Sequence, residues 1–230
     1  MRRLLLLLVV VGGLAVVGDR VAAAYADRVV AAELQATAGL AAPPEVDVRG
    51  FPFLTQALRG EYRHVQVRAT GVSAGEVELA ELTATLSGVR APLRDVLGGR
   101  LDAVRVEDVE ARALLSYAAL SRRSGDRQLT VTPAGEAVRV RGSVRVLGQD
   151  FAATTTSTVV LEGEDLVVTA QEVDVGNETA GRAVSRALGN RLDIRVPVGG
   201  LPYDLRLVGV AVDPDGVRLL ATAQGVVLTR

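Results

Sequence analysis

The hydrophobic pattern divides the chain into an N-terminal helical part and a longer part of alternating strands. An apolar run extends from Leu4 to Val17, and the alanine-rich segment from Asp19 to Thr37 repeats its apolar residues every three or four positions. This spacing places the apolar residues on one face of a helix. We expect that face to pack against a sheet, and its members are Val21, Tyr25, Val29 and Ala32.

Beyond Gly39 and the pair Pro43-Pro44, which end the helix, apolar and polar residues alternate as they do in half-buried strands. Short helices are predicted at Ser116–Arg123 and Thr179–Leu192. The predicted strands are Val46–Val48, Tyr62–Val72, Val77–Leu86, Val104–Leu114, Val138–Val146, Phe151–Leu161, Leu166–Val175, Leu205–Val212 and Val217–Leu228.

The last two strands form a hairpin whose turn is Asp213-Pro214-Asp215-Gly216. Both faces of its first strand are apolar, with Leu205, Leu207 and Ala211 on one side and Val208, Val210 and Val212 on the other. An antiparallel sheet with two apolar faces must be covered twice. The sequence therefore predicts an α+β fold in which helices cover one face and either a second sheet or a lipid covers the other.

The segment from Arg49 to Tyr62 contains two of the three Phe residues of the chain. Pro52 restricts its own backbone, and Gly50 and Gly60 allow backbone angles that other residues avoid, so the chain is expected to turn on both sides of a compact apolar cluster. Two interpretations are open: an exposed apolar lip, or a buried plug that holds the N-terminal helix.

Composition and charge exclude several classes of function. The net charge of −1 lacks the basic excess that binding to nucleic-acid phosphates requires. The absence of Cys excludes disulfides, thiolate metal sites and cysteine nucleophiles. With few aromatic residues, the interior must be built from Val, Leu and Ala, which suits either a filled core or a core with room for a ligand.

One hydrolase pattern, Gly71-Val72-Ser73-Ala74-Gly75, occurs in the chain. Hydrolases that use this pattern place the Ser before a helix and the catalytic His after the Ser, whereas the single His64 precedes Ser73 and a strand follows Gly75. We therefore expect a connection between strands at this point. No catalytic residue, no metal site and no cofactor is predicted.

The N-terminal segment, residues 1–24, is interpreted as a signal peptide or a membrane anchor. Its apolar run is shorter than the roughly 20 residues of a spanning helix, and the small residues Ala22-Ala23-Ala24 would suit cleavage. Either interpretation places one domain, residues 25–230, outside the cytoplasm.

Several motifs occur in an order that is similar to one known family. The most specific is Val48–Gln56, Val-Arg-Gly-Phe-Pro-Phe-Leu-Thr-Gln, which is followed by Gly60-x-Tyr62. The likeness continues through Gly88–Leu97, the strand leading to Tyr117, and the closing Leu201-Pro202-Tyr203. Together these motifs resemble the LmeA family of envelope phospholipid-binding proteins.

The resemblance implies a fold like one half of the tubular lipid-binding (TULIP) superfamily. Such a fold has a long, curved antiparallel sheet wrapped around amphipathic helices, with an apolar groove. It also implies a non-enzymatic protein of the periplasmic space, at the outer face of the plasma membrane. The implied partners are phospholipid, the membrane surface and the enzymes of envelope glycan assembly.

Under this resemblance, Phe51, Phe53 and Leu54 are expected to form an apolar lip, and Tyr62 could join either the lip or a phosphate site. The arginines that could meet the lipid phosphate are Arg49, Arg59 and Arg63. The expected contacts of the acyl chains are Leu205, Leu207, Val208 and Val210. The alternative is an exported scaffold with a filled core, whose exposed arginines are only solvated.

Overall fold

A computed structural model describes residues 2–74, 77–92, 94, 104–122, 129–146, 149–163, 165–174, 194–197 and 201–228. Within these residues the chain forms three α-helices and eleven β-strands, with strands in the majority. The α+β class predicted from the sequence is confirmed. The helix predicted at Thr179–Leu192 lies outside the described residues.

Helix α1 extends without a break from Arg2 to Ala38. It therefore joins the apolar run and the alanine-rich segment into one rod of 37 residues. Gly39, with a φ of 62°, follows its last residue, and the Leu40 N–H donates to the Gln35 carbonyl oxygen at 3.1 Å. The predicted end of the helix is confirmed.

The predicted packing face of α1 is wrong. Val21 and Tyr25 are 64% and 61% exposed, whereas the buried side chains are Asp19, Ala23 and Ala26. The helix packs against strand β1 (Glu45–Arg49), and the Asp27 carboxylate accepts the Val48 N–H at 3.1 Å. These polar contacts set the rotation of the helix and leave its largest apolar side chains outside.

The first sheet has six strands in the order β1-β2-β3-β4-β11-β10. The β1–β2 and β10–β11 pairs are antiparallel, and the predicted C-terminal hairpin is confirmed by the pairing of Asp213 with Gly216. The remaining strands of this sheet are β2 (Glu61–Ala74), β3 (Val77–Arg90), β4 (Val104–Ser116), β10 (Arg206–Asp213) and β11 (Gly216–Leu228).

The second sheet has five antiparallel strands in chain order. Val138 is buried, Val140 is half-buried, and Arg139 and Arg141 are exposed, so the alternation predicted for β6 is confirmed over these residues. The first and last strands were not predicted, because both are short and Pro133 interrupts the pattern of the first. The five strands are β5 (Thr130–Ala134), β6 (Ala137–Val146), β7 (Gln149–Glu162), β8 (Asp165–Asp174) and β9 (Ile194–Pro197).

The chain groups into two compact units. The first contains Met1–Thr70, Thr83–Ala111 and Ala223–Arg230, and the second contains Gly71–Leu82 and Arg112–Thr222. The second unit has a core centred on Tyr117, Val138 and Val217, against which further Val and Leu side chains pack.

Tyr117 begins the third helix, α3 (Tyr117–Arg122), and is the only aromatic residue in that core cluster of described residues. Its hydroxyl donates to the Asp213 carbonyl oxygen at 2.5 Å. Burial, with the nearby Asp213 carboxylate as a further cause, raises the pKa of Tyr117. The hydroxyl therefore stays protonated as a donor, and the core is satisfied by its own residues.

Candidate functional site

The segment from Arg49 to Tyr62 contains a helix of seven residues, α2 (Phe53–Arg59), between strands β1 and β2. The turns expected on both sides of the segment are present, with positive φ values of 119° at Gly50 and 67° at Gly60. The helix itself was not predicted, because two turns are too short to show a helical repeat. The Gly60 N–H donates to the Ala57 carbonyl oxygen at 3.2 Å and ends the helix.

The two interpretations of this segment, a buried plug and an exposed lip, each apply to a different set of its residues. Phe53 is 3% exposed and packs inside with Ala57, whereas Phe51, Leu54 and Leu58 are 60%, 45% and 82% exposed. Leu54 and Leu58 are four residues apart on one face of α2, and Phe51 lies just before the helix; these three exposed apolar residues are called here the apolar stripe. Phe53 thus belongs to the core, and Phe51 and Leu54 belong to the exposed surface.

The inner face of α2 is fixed to the sheet by three contacts. The Phe53 and Tyr62 rings pack with centroids 6.1 Å apart, and the Gln56 Oε1 accepts the Arg63 N–H at 3.1 Å. The Ala91 N–H donates to the Gly60 carbonyl oxygen at 2.9 Å. Burial raises the pKa of Tyr62, so its hydroxyl is neutral at physiological pH.

Asp19 of α1 supplies a cap that α2 lacks in its own sequence. Pro52 stands at the N-cap position and makes no side-chain hydrogen bond to the helix. The Asp19 carboxylate, 2% exposed, accepts the Leu54 N–H at 2.8 Å instead. A side chain from another helix therefore satisfies one of the free N–H groups at the start of α2.

Arg20 completes the contact between the two helices. Its guanidinium donates to the Gly50 carbonyl oxygen at 3.1 Å, lies 5.4 Å from the centre of the Phe51 ring, and pairs with Asp19 at 2.7 Å. The term Asp19–Arg20 clasp is used below for these contacts. Sequence reasoning missed the clasp, although its signal was present: the first charged pair directly after the apolar run.

A pocket of about 310 Å³ lies beside α2 and is bordered by strands β2, β3 and β4. Its apolar wall comes from Phe51, Pro52 and Val89. Its polar lining is formed by Thr55, Gln56, Arg59, Glu61, Tyr62, Arg63, Arg90 and Glu107. Ligand pockets span roughly 300 to 1,000 Å³, so the volume suits a small polar group and is too small for two acyl chains.

Three arginines and two glutamates, Glu61 and Glu107, line the pocket, so its lining carries a formal charge of +1. Arg90 is neutralised by Glu107 at 2.7 Å. Within the described part of the chain, the guanidinium groups of Arg59 and Arg63 have no ion-pair partner. Two cations with free donors at one pocket can bind a phosphate through paired N–H groups.

The structure brings together four of the site residues expected from the sequence, and Phe51, Arg59, Tyr62 and Arg63 all line the pocket. Arg49 does not line it: its side chain pairs with Asp47 at 2.8 Å and also donates to the Gln66 side chain. Gln56, Arg90 and Glu107 join the pocket through strand pairing and helix packing, which no local pattern in the sequence indicates.

The other four expected residues lie on or beside β10, in the second unit. Leu205 and Leu207 are half-buried, and Val208 is 52% exposed. Val210 packs against the core cluster of Tyr117, Val138 and Val217.

The hydrolase pattern does not form a nucleophile elbow. Ser73 lies within β2, and the next element is strand β3, so the strand-to-helix turn of such enzymes is missing here. Among the described residues, no group of three or more His, Asp or Glu side chains could hold a metal ion.

An α+β protein in which an exposed apolar stripe adjoins an arginine-lined pocket has the surface of a lipid-binding protein. The family model described as LmeA-like phospholipid-binding matches residues 17–222, and the chain belongs to this family. The resemblance seen in the sequence is thereby confirmed. No curated protein and no solved structure matches the chain.

Proposed function

We propose that this protein binds a phospholipid and carries or presents it in the cell envelope, outside the plasma membrane. The observation that supports this function best concerns Phe51, which belongs both to the apolar stripe and to the wall of the arginine-lined pocket. A single ligand with an apolar part and a phosphate would match both surfaces at once. A phospholipid has this composition.

In this proposal the lipid phosphate binds between Arg59 and Arg63, whose guanidinium groups have no ion-pair partner among the described residues. Charge-assisted hydrogen bonds to an oxyanion are shorter and stronger than neutral ones. Tyr62, whose hydroxyl is neutral, lines the same pocket and adds a hydrogen-bond donor in this proposal. The head group is therefore expected to carry its phosphate into the pocket while the acyl chains remain outside it.

We propose apolar surfaces as the contacts of the acyl chains. Beside the pocket these are the stripe residues Phe51 and Leu54. Contacts at Leu205, Leu207, Val208 and Val210, which belong to the second unit, stay a prediction from the sequence. Each methylene that leaves water contributes about 0.8 kcal/mol. A non-catalytic role in delivering lipid to the enzymes of envelope glycan assembly is the cellular function that we propose for such a protein.

Binding of a short-chain, water-soluble phospholipid to residues 18–230 tests this function by calorimetry. We expect the Arg59→Gln/Arg63→Gln double variant to bind the lipid at least tenfold more weakly than the unchanged protein. Arg139 and Arg141 are exposed on β6, in the second unit, so the Arg139→Gln/Arg141→Gln variant is the matched control for lost charge. The control should bind like the unchanged protein.

If both double variants bound the lipid equally well, Arg59 and Arg63 would not form its phosphate site. Absence of binding by the unchanged protein would instead favour the exported scaffold with a filled core.

A further inference from the structure

We propose that α1 remains in the mature protein as a membrane anchor, and that the Asp19–Arg20 clasp seats the apolar stripe on the outer surface of the lipid bilayer. This inference goes beyond the proposed function, because it holds whether or not the pocket binds phospholipid. The occupant of the stripe is the bilayer itself.

The first argument is the sharp boundary within α1. Every residue from Arg2 to Gly18 is exposed, and the helix is long and apolar enough to cross a membrane. Asp19 is 2% exposed, and it is the first side chain of α1 that the rest of the protein covers. The helix therefore changes at one residue from a fully exposed apolar segment to a segment that packs in the folded unit.

The second argument is what cleavage at Ala22-Ala23-Ala24 would remove. The removed piece would include Asp19 and Arg20, and the Leu54 N–H would lose the carboxylate that accepts its hydrogen bond. Pro52 offers no side-chain cap in its place. The family match also begins at residue 17, so Asp19 and Arg20 lie inside the matched range.

The third argument is length. The run from Leu4 to Val17 counts 14 residues, or about 21 Å of helix, against a hydrocarbon thickness of about 30 Å. The missing 9 Å or so corresponds to about six further residues. Residues 18–23 have this length and include the exposed Val21, and the exposed Tyr25 follows two residues later.

The clasp places the apolar stripe at the same level of the helix. Asp19 binds the backbone of Leu54, and Arg20 covers Phe51, so both stripe residues lie beside the portion of α1 that completes the span. The carboxylate of Asp19 is paired with Arg20, and this pairing lowers the free-energy cost of placing the carboxylate near lipid. Arg20 keeps its long side chain half exposed and can extend toward head groups.

The charge at the start of the chain gives the orientation. Arg2 and Arg3 precede the apolar run, and basic residues beside a span stay on the cytoplasmic side. The folded units then lie on the opposite side, with the stripe directed at the outer leaflet.

A single tryptophan tests the seating, because the chain contains no Trp. The full-length Leu58→Trp protein would be reconstituted into phosphatidylcholine vesicles whose acyl chains are brominated near the head group. Leu58 is 82% exposed, and we expect at least a twofold loss of its fluorescence relative to unbrominated vesicles. Val160→Trp, at an exposed position on β7, is the matched control and should not be quenched.

Equal fluorescence of Leu58→Trp in the two kinds of vesicle would overturn the seating. An emission shift that depends on protein concentration and not on bromination would show that a second copy covers the stripe, and it would also overturn the proposal. Adding Asp19→Ala to Leu58→Trp should reduce the quenching, since α1 then loses its hydrogen bond to the start of α2, while the contacts of α2 with the sheet remain.

The mass of the intact chain from the membrane fraction tests retention separately. We expect a protein that still contains Asp19 and the apolar run before it. A mature chain that begins between residues 22 and 26 would overturn the anchor. Calorimetric lipid binding by residues 18–230 does not depend on either outcome, so a failure here and a failure of the proposed function can be told apart.

Discussion

Two buried tyrosines show how differently the two units of this protein use an aromatic residue. Tyr117 lies in a Val-rich core, and its hydroxyl is satisfied by the Asp213 carbonyl oxygen. Tyr62 packs against Phe53, but it also lines a pocket with Arg59 and Arg63, whose guanidinium groups have no ion-pair partner among the described residues. The hydroxyl of the first site is paired within the protein, whereas the second site is the one that we propose for a ligand.

The comparison indicates where stability and function are concentrated. A core whose buried polar groups are hydrogen-bonded within the protein lowers the free energy of the folded state and leaves no donor or acceptor for a ligand. A pocket whose cations have no ion-pair partner in the described part of the chain, beside an exposed apolar stripe, adds little stability and can bind a ligand. Substitutions at the two tyrosine sites should therefore separate unfolding from binding.

The largest expected effect is on the core. Tyr117→Ala should lower the free energy of unfolding by about 3 to 5 kcal/mol, because it removes a large buried side chain and leaves a cavity. Urea unfolding measures the loss. Val160→Ala, at an exposed position, should stay within about 0.5 kcal/mol of the unchanged protein.

Folded Tyr117→Ala protein should still bind the short-chain phospholipid. A loss of binding without a loss of stability would reverse the roles assigned to the two sites.

A smaller effect is expected at Gly50. A Cβ at this position would lie 2.6 Å from the Gln56 Nε2, and the φ of 119° is unfavourable for other residues. Gly50→Ala should cost about 1 to 3 kcal/mol and weaken lipid binding, because it displaces the start of α2. Gly163 also has a positive φ but has open space around it, so Gly163→Ala should leave binding unchanged.

Equal loss of lipid binding in the two glycine variants would show that α2 does not position the pocket.

The helix cap has a still smaller expected effect. Asp19→Ala should lower the free energy of unfolding by about 1 kcal/mol, because the Leu54 N–H loses its acceptor. Asp19→Asn keeps an oxygen acceptor and should lose less. Amide hydrogen exchange at Leu54 is the direct measurement, and we expect faster exchange in the Ala variant than in the Asn variant. Unchanged exchange in both would contradict the cap.

The smallest expected effect concerns alkaline pH. Burial raises the pKa of both Tyr62 and Tyr117, so the folded state holds each phenolic proton more tightly than the unfolded chain does. This contribution to stability is complete below the ordinary pKa of about 10 and is lost as the pH rises through the folded-state value. Unfolding measured at pH 9 and pH 11 should therefore show less alkaline loss in a Tyr62→Phe/Tyr117→Phe variant. Identical losses would contradict the raised pKa values.

Much of the fold could be predicted from local patterns, because a strand with one face in water shows its alternation directly, as β6 does. The packing face of α1 could not be predicted from its local pattern. Hydrophobicity assigns Val21 and Tyr25 to the interior, but the hydrogen bonds of Asp19 and Asp27 to residues far along the chain turn the alanine face inward. Such tertiary contacts override the pattern of a single helix.

The candidate site was predictable only in part, for the same reason. Phe51, Arg59 and Arg63 stand in one distinctive stretch, so sequence and resemblance both indicate them. Arg90 and Glu107 reach the pocket from β3 and β4, and only the pairing of strands shows that they belong there.

Native mass spectrometry of residues 18–230 without detergent, before and after incubation with phospholipid vesicles, tests the central claim most directly. This fragment keeps Asp19 and Arg20 and omits the apolar run. We expect an added mass of one phospholipid, released on unfolding, and less of it in the Arg59→Gln/Arg63→Gln variant. A protein that keeps its bare mass after incubation would contradict phospholipid binding in this chain.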